Sequence, residues 1–226
     1  MEGKNQTLVD KVYNEIYYYQ NVARTRWEFV INAFKLRPDN LIPDNPFNDF
    51  FKANGINPKE FATVFVKWLT GKNGKRNVLK LQGPYNTGKS MLSKCITKPF
   101  HTAYVGKHAL VKCSDFLYQS FHKKSLIALE EPIIKPGIAN DMLSFFAGDP
   151  LDVNVKYKAP VTISRTPVIV TSNHSTFGQS FLSQTDEQAL LQRCVVYHIN
   201  TPFTPKIQMT SKMFYSFVIE NAEINA

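Results

Sequence analysis

The chain has 226 residues, 43% of them hydrophobic, and a formal net charge of +9. This length can bury the core of one ordinary domain, and the charge favours a polyanionic partner or an anionic surface over an acidic small substrate. No apolar stretch reaches the roughly 20 residues of a membrane-spanning helix, and the N-terminus lacks the apolar centre of a secretory signal. We therefore expect a soluble, intracellular protein with no membrane partner.

The cysteines argue against two further classes of protein. Cys95, Cys113 and Cys194 are widely separated, odd in number and form no Cys-x-x-Cys pair. A disulfide framework and a zinc site are therefore not indicated, and we expect reduced thiols in partly buried positions.

The N-terminal quarter of the chain has apolar residues at helical spacing. Residues 7–34 follow this pattern, and Pro38, Pro43 and Pro46 then end it. Asn57-Pro58 predicts the start of another helix, which runs to Gly71. We expect residues 1–53 to form a small, separate helical bundle with a linker, and residues 54–226 to form the main domain.

From Asn77 onwards, short apolar runs alternate with helical patterns. This alternation predicts an α/β domain with a central, mainly parallel five-stranded sheet. Helices are expected after Lys89, at residues 115–121 and at residues 138–146. Residues 153–164 alternate with a period of two on both sides of Ala159-Pro160, which predicts an inserted β-hairpin. The predicted sheet strands are residues 78–81, 103–105, 126–129, 168–170 and 195–197.

A glycine-rich segment that follows the first strand directly fits the phosphate-binding pattern GxxxxGK[ST]. Its glycines allow backbone N–H groups to surround phosphate oxygens, and the following helix adds a favourable dipole. Lys89 would reach the β- and γ-phosphates, and the Ser90 hydroxyl would bind Mg²⁺. The alternative is an ordinary glycine turn before a helix. The segment consists of Gly83, Pro84, Tyr85, Asn86, Thr87, Gly88, Lys89 and Ser90.

Polar residues also follow two later strands. Glu130 and Glu131 end an apolar strand, so that one carboxylate could hold Mg²⁺ while the other polarises a water molecule. Asn173 ends the strand at residues 167–171, where its amide could orient water. It could equally be a turn-forming residue in the sequence Ser-Asn-His. Arg193 precedes the last strand and could enter a neighbouring subunit's site, or could pair locally with Asp186 or Glu187.

The order of these motifs resembles the superfamily 3 helicases of the AAA+ class, and more closely the helicase domain of parvovirus replication proteins of the non-structural or Rep type. The similarity extends from Asn54 to about Ile199, whereas the first fifty residues match only in general character. It rests on NGINP at 54–58, KRN at 75–77, GPYNTGKS at 83–90, Glu130-Glu131, VKYK at 155–158, TPVIVTSN at 166–173 and LQR at 191–193.

The resemblance implies a nucleotide site that two subunits share. It implies that Lys89 and Ser90 bind ATP and Mg²⁺, that Glu130 and Glu131 form the acidic pair, and that Asn173 is the sensor. Arg193 would act as a finger across a subunit boundary. Residues 1–53 correspond in position to the family's oligomerisation element, and hexamers on DNA are the family's norm.

The resemblance also implies a nucleic-acid substrate and a location. Lys156 and Lys158 lie where the family's hairpin projects lysines into a central channel that grips single-stranded DNA at duplex junctions. A same-face lysine pair on a hairpin is otherwise typical of a solvated edge. A viral protein of this type would act in the host cell nucleus.

Several alternatives and departures remain. A P-loop kinase would lack a lysine-bearing hairpin, and a GTPase would need an Asn-Lys-x-Asp motif, which residues 171–174 do not supply. A packaging ATPase that never separates strands and an RNA helicase or chaperone of the same superfamily stay open. Pro132 follows Glu131 where close relatives carry a basic residue sooner. No pair of histidines of the HUH nuclease type is present, so we expect a motor domain without nicking activity.

Overall fold

The computed structural model describes residues 2–22, 24–106, 117–156 and 159–223, with side chains from residue 8 onwards. All five sheet strands predicted from the sequence are confirmed, each extended by one or two residues. The sheet consists of β1 (Val78–Gln82), β2 (Thr102–Val105), β3 (Leu126–Glu130), β6 (Val168–Ser172) and β7 (Cys194–His198).

The strands form one parallel sheet in the order β2-β3-β6-β1-β7. β1 is an interior strand, and it pairs with β6 in the register Val78↔Val168 and with the edge strand β7 in the register Val78↔Cys194. β3 pairs with β6 rather than with β1. Since all these strands run in one direction, the segments after β1, β3 and β6 leave the sheet at the same edge. The predicted α/β fold is confirmed.

Eight helices surround the sheet within the described part of the chain. α4 begins as predicted, with Asn57 as its N-cap and Pro58 in its first turn, and α6 matches the predicted segment within one residue. The helices are α1 (Glu2–Asn21), α2 (Arg26–Phe34), α3 (Pro46–Ala53), α4 (Pro58–Leu69), α5 (Lys89–Thr97), α6 (Ala139–Ala147), α7 (Gln184–Gln192) and α8 (Ser211–Asn221).

The helix predicted at residues 115–121 is wrong in its described part. Residues 117–118 form a turn, and a single 3-10 turn follows at Gln119–Phe121. Tyr118 and Phe121 are buried, with their rings 5.7 Å apart, because both pack into the core beside α6. Tertiary packing, rather than a helical repeat, therefore accounts for the apolar residues there. Residues 115 and 116 lie outside the described ranges.

One face of the sheet carries an aromatic core to which the N-terminal helices contribute. Trp27 of α2 and Phe51 of α3 are buried in the same cluster as Leu79 and Leu81 of β1. Phe51 stacks on Phe217 of α8 at 4.9 Å between ring centroids. The apolar packing thus crosses the predicted boundary between residues 53 and 54, whereas the oligomerisation role of residues 1–53 stays a prediction.

The opposite face is covered by α6, α7 and the inserted hairpin. The hairpin pairs β4 (Leu151–Val153) with β5 (Val161–Ile163) in antiparallel register. Its existence is confirmed, but its first strand starts two residues earlier than predicted. Lys156 therefore lies in the connection between the strands, not on a regular strand face, and its backbone N–H donates to Gln119 Oε1 at 3.4 Å. Lys158 falls outside the described residues.

Two described cysteines have free thiols in buried positions, as predicted. Burial raises the pKa of the Cys95 thiol to about 11 and that of Cys194 to about 12, which makes both poor nucleophiles near neutral pH. Cys113 is not among the described residues. None of the described helices is both long enough and apolar enough to cross a bilayer.

Candidate nucleotide-binding site

The phosphate-binding segment joins β1 to α5 as the sequence predicted. Gly88 is the N-cap of α5 and adopts a left-handed conformation with φ 90°, so the chain turns directly into the helix. Asn86 also has a positive φ of 59°, which asparagine tolerates better than most residues. The first turn of α5, with its unpaired N–H groups, therefore faces the carboxyl edge of the sheet.

Gly83 allows two backbones to approach each other closely. Its N–H donates to Ser172 O at 3.1 Å, and Ile199 N donates to the adjacent Gln82 O at 2.7 Å. A Cβ at position 83 would lie 2.0 Å from Ile199 O, a backbone atom that cannot move without breaking this pairing. The start of the phosphate-binding segment is thus fixed against β6 and the end of β7.

We expect Gly83→Ala to destabilise the fold by about 3 kcal/mol, the upper end of typical overpacking costs. For a chain of this size, that loss corresponds to a fall of about 6–12 °C in the melting temperature. Thermal unfolding followed by circular dichroism measures it. Gly106→Ala is the matched control, because an added Cβ there meets nothing within 4 Å. Equal melting temperatures for the two variants would contradict the close approach.

The Lys89 side chain is directed into the phosphate-binding segment. It is only 6% exposed, and its ammonium donates to Pro84 O and, at 3.4 Å, to Thr87 Oγ1. Thr87 Oγ1 in turn donates to Pro84 O at 3.0 Å. Burial lowers the pKa of the Lys89 ammonium, and attraction to the Glu131 carboxylate opposes this effect. The group is held by weak neutral acceptors that a phosphate could replace.

The acidic pair and Asn173 meet at the ends of β3 and β6. Glu130 is exposed, whereas Glu131 is half-buried and has a positive φ of 48°. Glu131 N donates to Thr171 O at 2.9 Å, and both oxygens of the Glu131 carboxylate accept from Asn173 N, at 3.0 and 3.1 Å. The Glu131 side chain is therefore oriented by the backbone of the residue predicted as sensor.

These groups surround one cleft of about 350 Å³. The structure brings together most of the predicted nucleotide site, and it adds Met91 and Thr171, which sequence reasoning did not single out. Thr171 follows the apolar part of β6, so its position in TPVIVTSN could have indicated it. The cleft is lined by Tyr85, Asn86, Thr87, Gly88, Lys89, Ser90, Met91, Glu130, Glu131, Thr171 and Asn173.

The donor set of the cleft fits Mg²⁺ bound together with phosphate. Among the described residues, no group of three or more His, Cys, Asp or Glu side chains could hold a metal ion by itself. Mg²⁺ does not need such a group, because it usually takes one or two protein ligands and completes its shell with phosphate oxygens and water. Ser90 and Glu130 line both the main cleft and an adjoining cavity of about 120 Å³, so a hydroxyl and a carboxylate border the same space.

Arg193 lies at the amino-terminal ends of the parallel strands, whereas the cleft lies at their carboxyl ends. It is the C-cap of α7 and directly precedes β7, whereas the phosphate-binding segment follows the parallel strand β1. Five strand residues separate the two edges by about 16 Å. Arg193 Nη1 donates to Ala189 O at 2.6 Å, and its Nε is buried without a hydrogen-bond partner in the described structure. The arginine is not part of its own chain's cleft.

The two carboxylates suggested as local partners of Arg193 are engaged elsewhere. Glu187 accepts from Phe177 N at 2.9 Å and from Gly178 N, and Asp186 accepts from the Ser183 hydroxyl at 2.7 Å. Neither Arg193 nor Lys156 lines the cleft.

Comparison with known proteins identifies the family. The profile described as parvovirus non-structural protein NS1 matches residues 18–218, which is most of the chain. The chain belongs to this family. Within the NS1 family, it is 30% identical over 154 residues to Protein Rep52 of adeno-associated virus 2, and 30% identical over 134 residues to Initiator protein NS1 of human parvovirus B19.

These relatives are longer than the matched region. The match with Rep52 covers 64% of this chain and 38% of the relative, and the match with the B19 protein covers 58% and 19%. This NS1-family chain therefore corresponds to less than half of the length of either relative.

Solved structures with the same fold include a JC virus helicase and the C-terminal region of NrS-1. The helicase aligns with a TM-score of 0.53 at 15% identity, covering 86% of this chain and 58% of that one. The NrS-1 region aligns with a TM-score of 0.58 at 16% identity, covering 82% and 47%. At such identities the likeness shows a shared fold and nothing more. This fold agrees with the resemblance drawn from the sequence motifs.

Proposed function

We propose that this NS1-family chain is an ATP-dependent DNA helicase motor of a viral replication initiator. The observation that carries the proposal is the cleft in which Lys89, Ser90, Glu130, Glu131 and Asn173 face one another. A basic phosphate-binding loop opposite a pair of carboxylates is what hydrolysis of a nucleoside triphosphate requires. Membership of the NS1 family supports nucleic acid as the substrate on which this hydrolysis acts.

In this proposal, each residue of the cleft has a defined role. Lys89 exchanges its bond to Pro84 O for oxygens of the β- and γ-phosphates. Ser90 and Glu130 hold Mg²⁺, which when bound neutralises charge on the β- and γ-phosphates. Glu131, oriented by Asn173 N, polarises the attacking water, and the Asn173 amide faces the γ-phosphate.

We propose further that two subunits complete each site. Arg193 is about 16 Å from its own chain's cleft along the strand direction, so it would have to act on another copy. A head-to-tail ring satisfies this requirement, because it can place the surface that carries Arg193 in one subunit against the surface that carries the cleft in its neighbour. Such a ring, a hexamer by the family's norm, would be stabilised by DNA and nucleotide.

The DNA contact is assigned to the hairpin connection, and the site of action to the host cell nucleus. Lys156 is exposed in that connection, and Lys158 follows it in sequence. The net charge of +9 supports a polyanionic partner. Cycles of hydrolysis would move the lysines along single-stranded DNA and open the duplex at a junction.

The direct test is unwinding of a tailed duplex with ATP and Mg²⁺. We expect separation of a DNA duplex with a single-stranded tail, and no separation without Mg²⁺ or with a non-hydrolysable ATP analogue. Equal or faster unwinding of RNA would assign the motor to RNA instead. Hydrolysis that DNA stimulates but that never separates strands would favour a packaging ATPase.

Replacing the hairpin lysines should separate hydrolysis from movement. We expect Lys156→Ala with Lys158→Ala to keep basal hydrolysis within about twofold and to lose strand separation, since the phosphate grip is removed. The slope of log affinity for single-stranded DNA against log salt should fall by about one per lysine. Lys52→Ala with Lys59→Ala is the matched control, because both lysines are exposed on α3 and α4. Normal unwinding by the hairpin double variant would rule out this contact.

A further inference from the structure

A lysine is buried in the middle of β1, an interior strand of the sheet. Lys80 is the third residue of β1 and is 0% exposed, in a strand whose other central residues are aliphatic. Burial lowers the pKa of its ammonium, while attraction to the carboxylates of Glu187 and Glu131 opposes that effect. A buried ammonium costs several kcal/mol unless its partners compensate for the lost water. The role proposed above for the cleft makes no use of this group.

Lys80 contacts two residues of the segment that begins at Asn173, the predicted sensor. We call residues 173–178 the β6 loop. Lys80 Nζ donates to Ser175 O at 2.6 Å and lies 4.6 Å from the centroid of the Phe177 ring. Ser175 is itself exposed, whereas the lysine that donates to its carbonyl is buried.

A second buried charge holds the other end of the β6 loop. Glu187, in the first turn of α7, is 8% exposed and accepts from Phe177 N at 2.9 Å and from Gly178 N. Charge-assisted bonds of this kind are roughly twice as strong as neutral ones. The Phe177 ring is buried and packs against Phe146 of α6 at 5.3 Å.

The β6 loop also forms hydrogen bonds with residues 131–134, which follow β3. Ile134 N donates to Phe177 O at 3.0 Å, and Asn173 N donates to the Glu131 carboxylate. The loop thus has one end in the cleft and the other on two buried side chains of opposite charge. Any displacement of Ser175 or Phe177 would be transmitted over a few residues to Asn173 and Glu131.

We propose that Lys80 is a positioning residue which, together with Glu187, fixes the β6 loop so that Asn173 and Glu131 face the γ-phosphate of bound ATP. This inference rests on the proposed ATP hydrolysis. It assigns Lys80 no contact with the nucleotide, because the contacts described for it belong to the loop. Misplacement of catalytic groups by about 1 Å is enough to cost up to 10²-fold in rate.

The test compares kcat with KM in Lys80→Met, which keeps the length of the side chain and removes the ammonium. We expect kcat for ATP hydrolysis to fall about 10–100-fold, with KM and the affinity for a non-hydrolysable ATP analogue within about twofold. Hydrogen exchange of the Phe177 and Gly178 amides should accelerate. Val78→Ala is the matched control, since it removes buried volume from the same face of β1 at the end where Val78 pairs with Val168, the first residue of β6, rather than at the end that leads into the loop. It should lower stability and leave kcat unchanged.

Glu187→Gln provides an independent second variant. It should lower kcat in the same way, and the double variant should lose less than the product of the two single effects, because both residues act on one loop. If Lys80→Met does not fold, Glu187→Gln decides alone. If the wild type hydrolyses ATP and each folded variant has the same kcat, the positioning role is overturned and the proposed function stands. Absence of wild-type hydrolysis with DNA and Mg²⁺ would instead overturn the proposed function.

Discussion

Lys89→Ala is expected to lower ATP hydrolysis by about 10²–10³-fold, the range found when one strong transition-state donor is removed. Among the described residues, the ammonium donates hydrogen bonds to Pro84 O and Thr87 Oγ1, and both are neutral acceptors inside the same loop. Its removal therefore takes charge away from the phosphates while leaving the packing of β1 and α5 in place. Steady-state hydrolysis should fall by this factor, and the affinity for a non-hydrolysable analogue should fall with it.

Lys98→Ala is the control for this experiment. Lys98 is an exposed lysine at the end of the same helix and does not line the cleft. We expect its turnover and melting temperature to equal those of the wild type. Hydrolysis at the wild-type rate by a folded Lys89→Ala protein would show that the triphosphate is bound elsewhere.

Arg193→Ala is expected to lower kcat by about 10³–10⁵-fold, the effect of an arginine finger, with little change in analogue affinity. The arginine is remote from its own cleft, so its loss should leave nucleotide binding by the separate subunit intact. Arg76→Ala is the matched control, because Arg76 is exposed and precedes β1 at the same sheet edge. A comparable loss of kcat in Arg76→Ala would mean that the effect is not specific to Arg193.

Mixing two inactive variants tests the shared site directly. A Lys89→Ala subunit still carries Arg193, and an Arg193→Ala subunit still carries Lys89. In an equal mixture, half of the sites keep Lys89 and half of their neighbours supply Arg193, so about a quarter of the wild-type rate should return. A mixture that assembles yet remains inactive would refute a site formed between subunits.

The sheet and the cleft follow from local sequence patterns. Parallel strands covered on both faces need nearly continuous apolar runs, and each of the five predicted runs became a strand. The phosphate-binding segment was recognisable because its glycines meet specific backbone requirements, such as the contact of Gly83 with Ile199. The meeting of Glu130, Glu131 and Asn173 follows from the parallel strand direction together with the pairing of β3 with β6.

Features that depend on tertiary packing were harder to predict. Lys80 lies inside a run that otherwise indicates an ordinary buried strand, and its partners are about 95 residues away in sequence. The aromatic residues of α2 and α3 suggested a separate bundle, yet they share a core with β1 and α8. Periodicity indicates that a face is buried, but not which surface covers it.

Lys156 shows that the ends of the hairpin strands were also not predictable from the sequence pattern. Alternation at residues 153–164 predicted that it lies on a regular strand, but β4 ends at Val153 and Lys156 is in the connection. A shift of two residues in a hairpin leaves its apolar pattern intact, because side chains alternate with a period of two. The pattern therefore fixed the faces of the strands without fixing where they end.

The most direct test of the nucleotide site is a crystal structure of the protein with Mg²⁺ and a non-hydrolysable ATP analogue. We expect the β- and γ-phosphates between Lys89 and Ser90, Mg²⁺ beside Ser90 and Glu130, and the γ-phosphate facing Glu131 and Asn173. A nucleotide bound outside this cleft, or one whose phosphates face away from both carboxylates, would contradict the account.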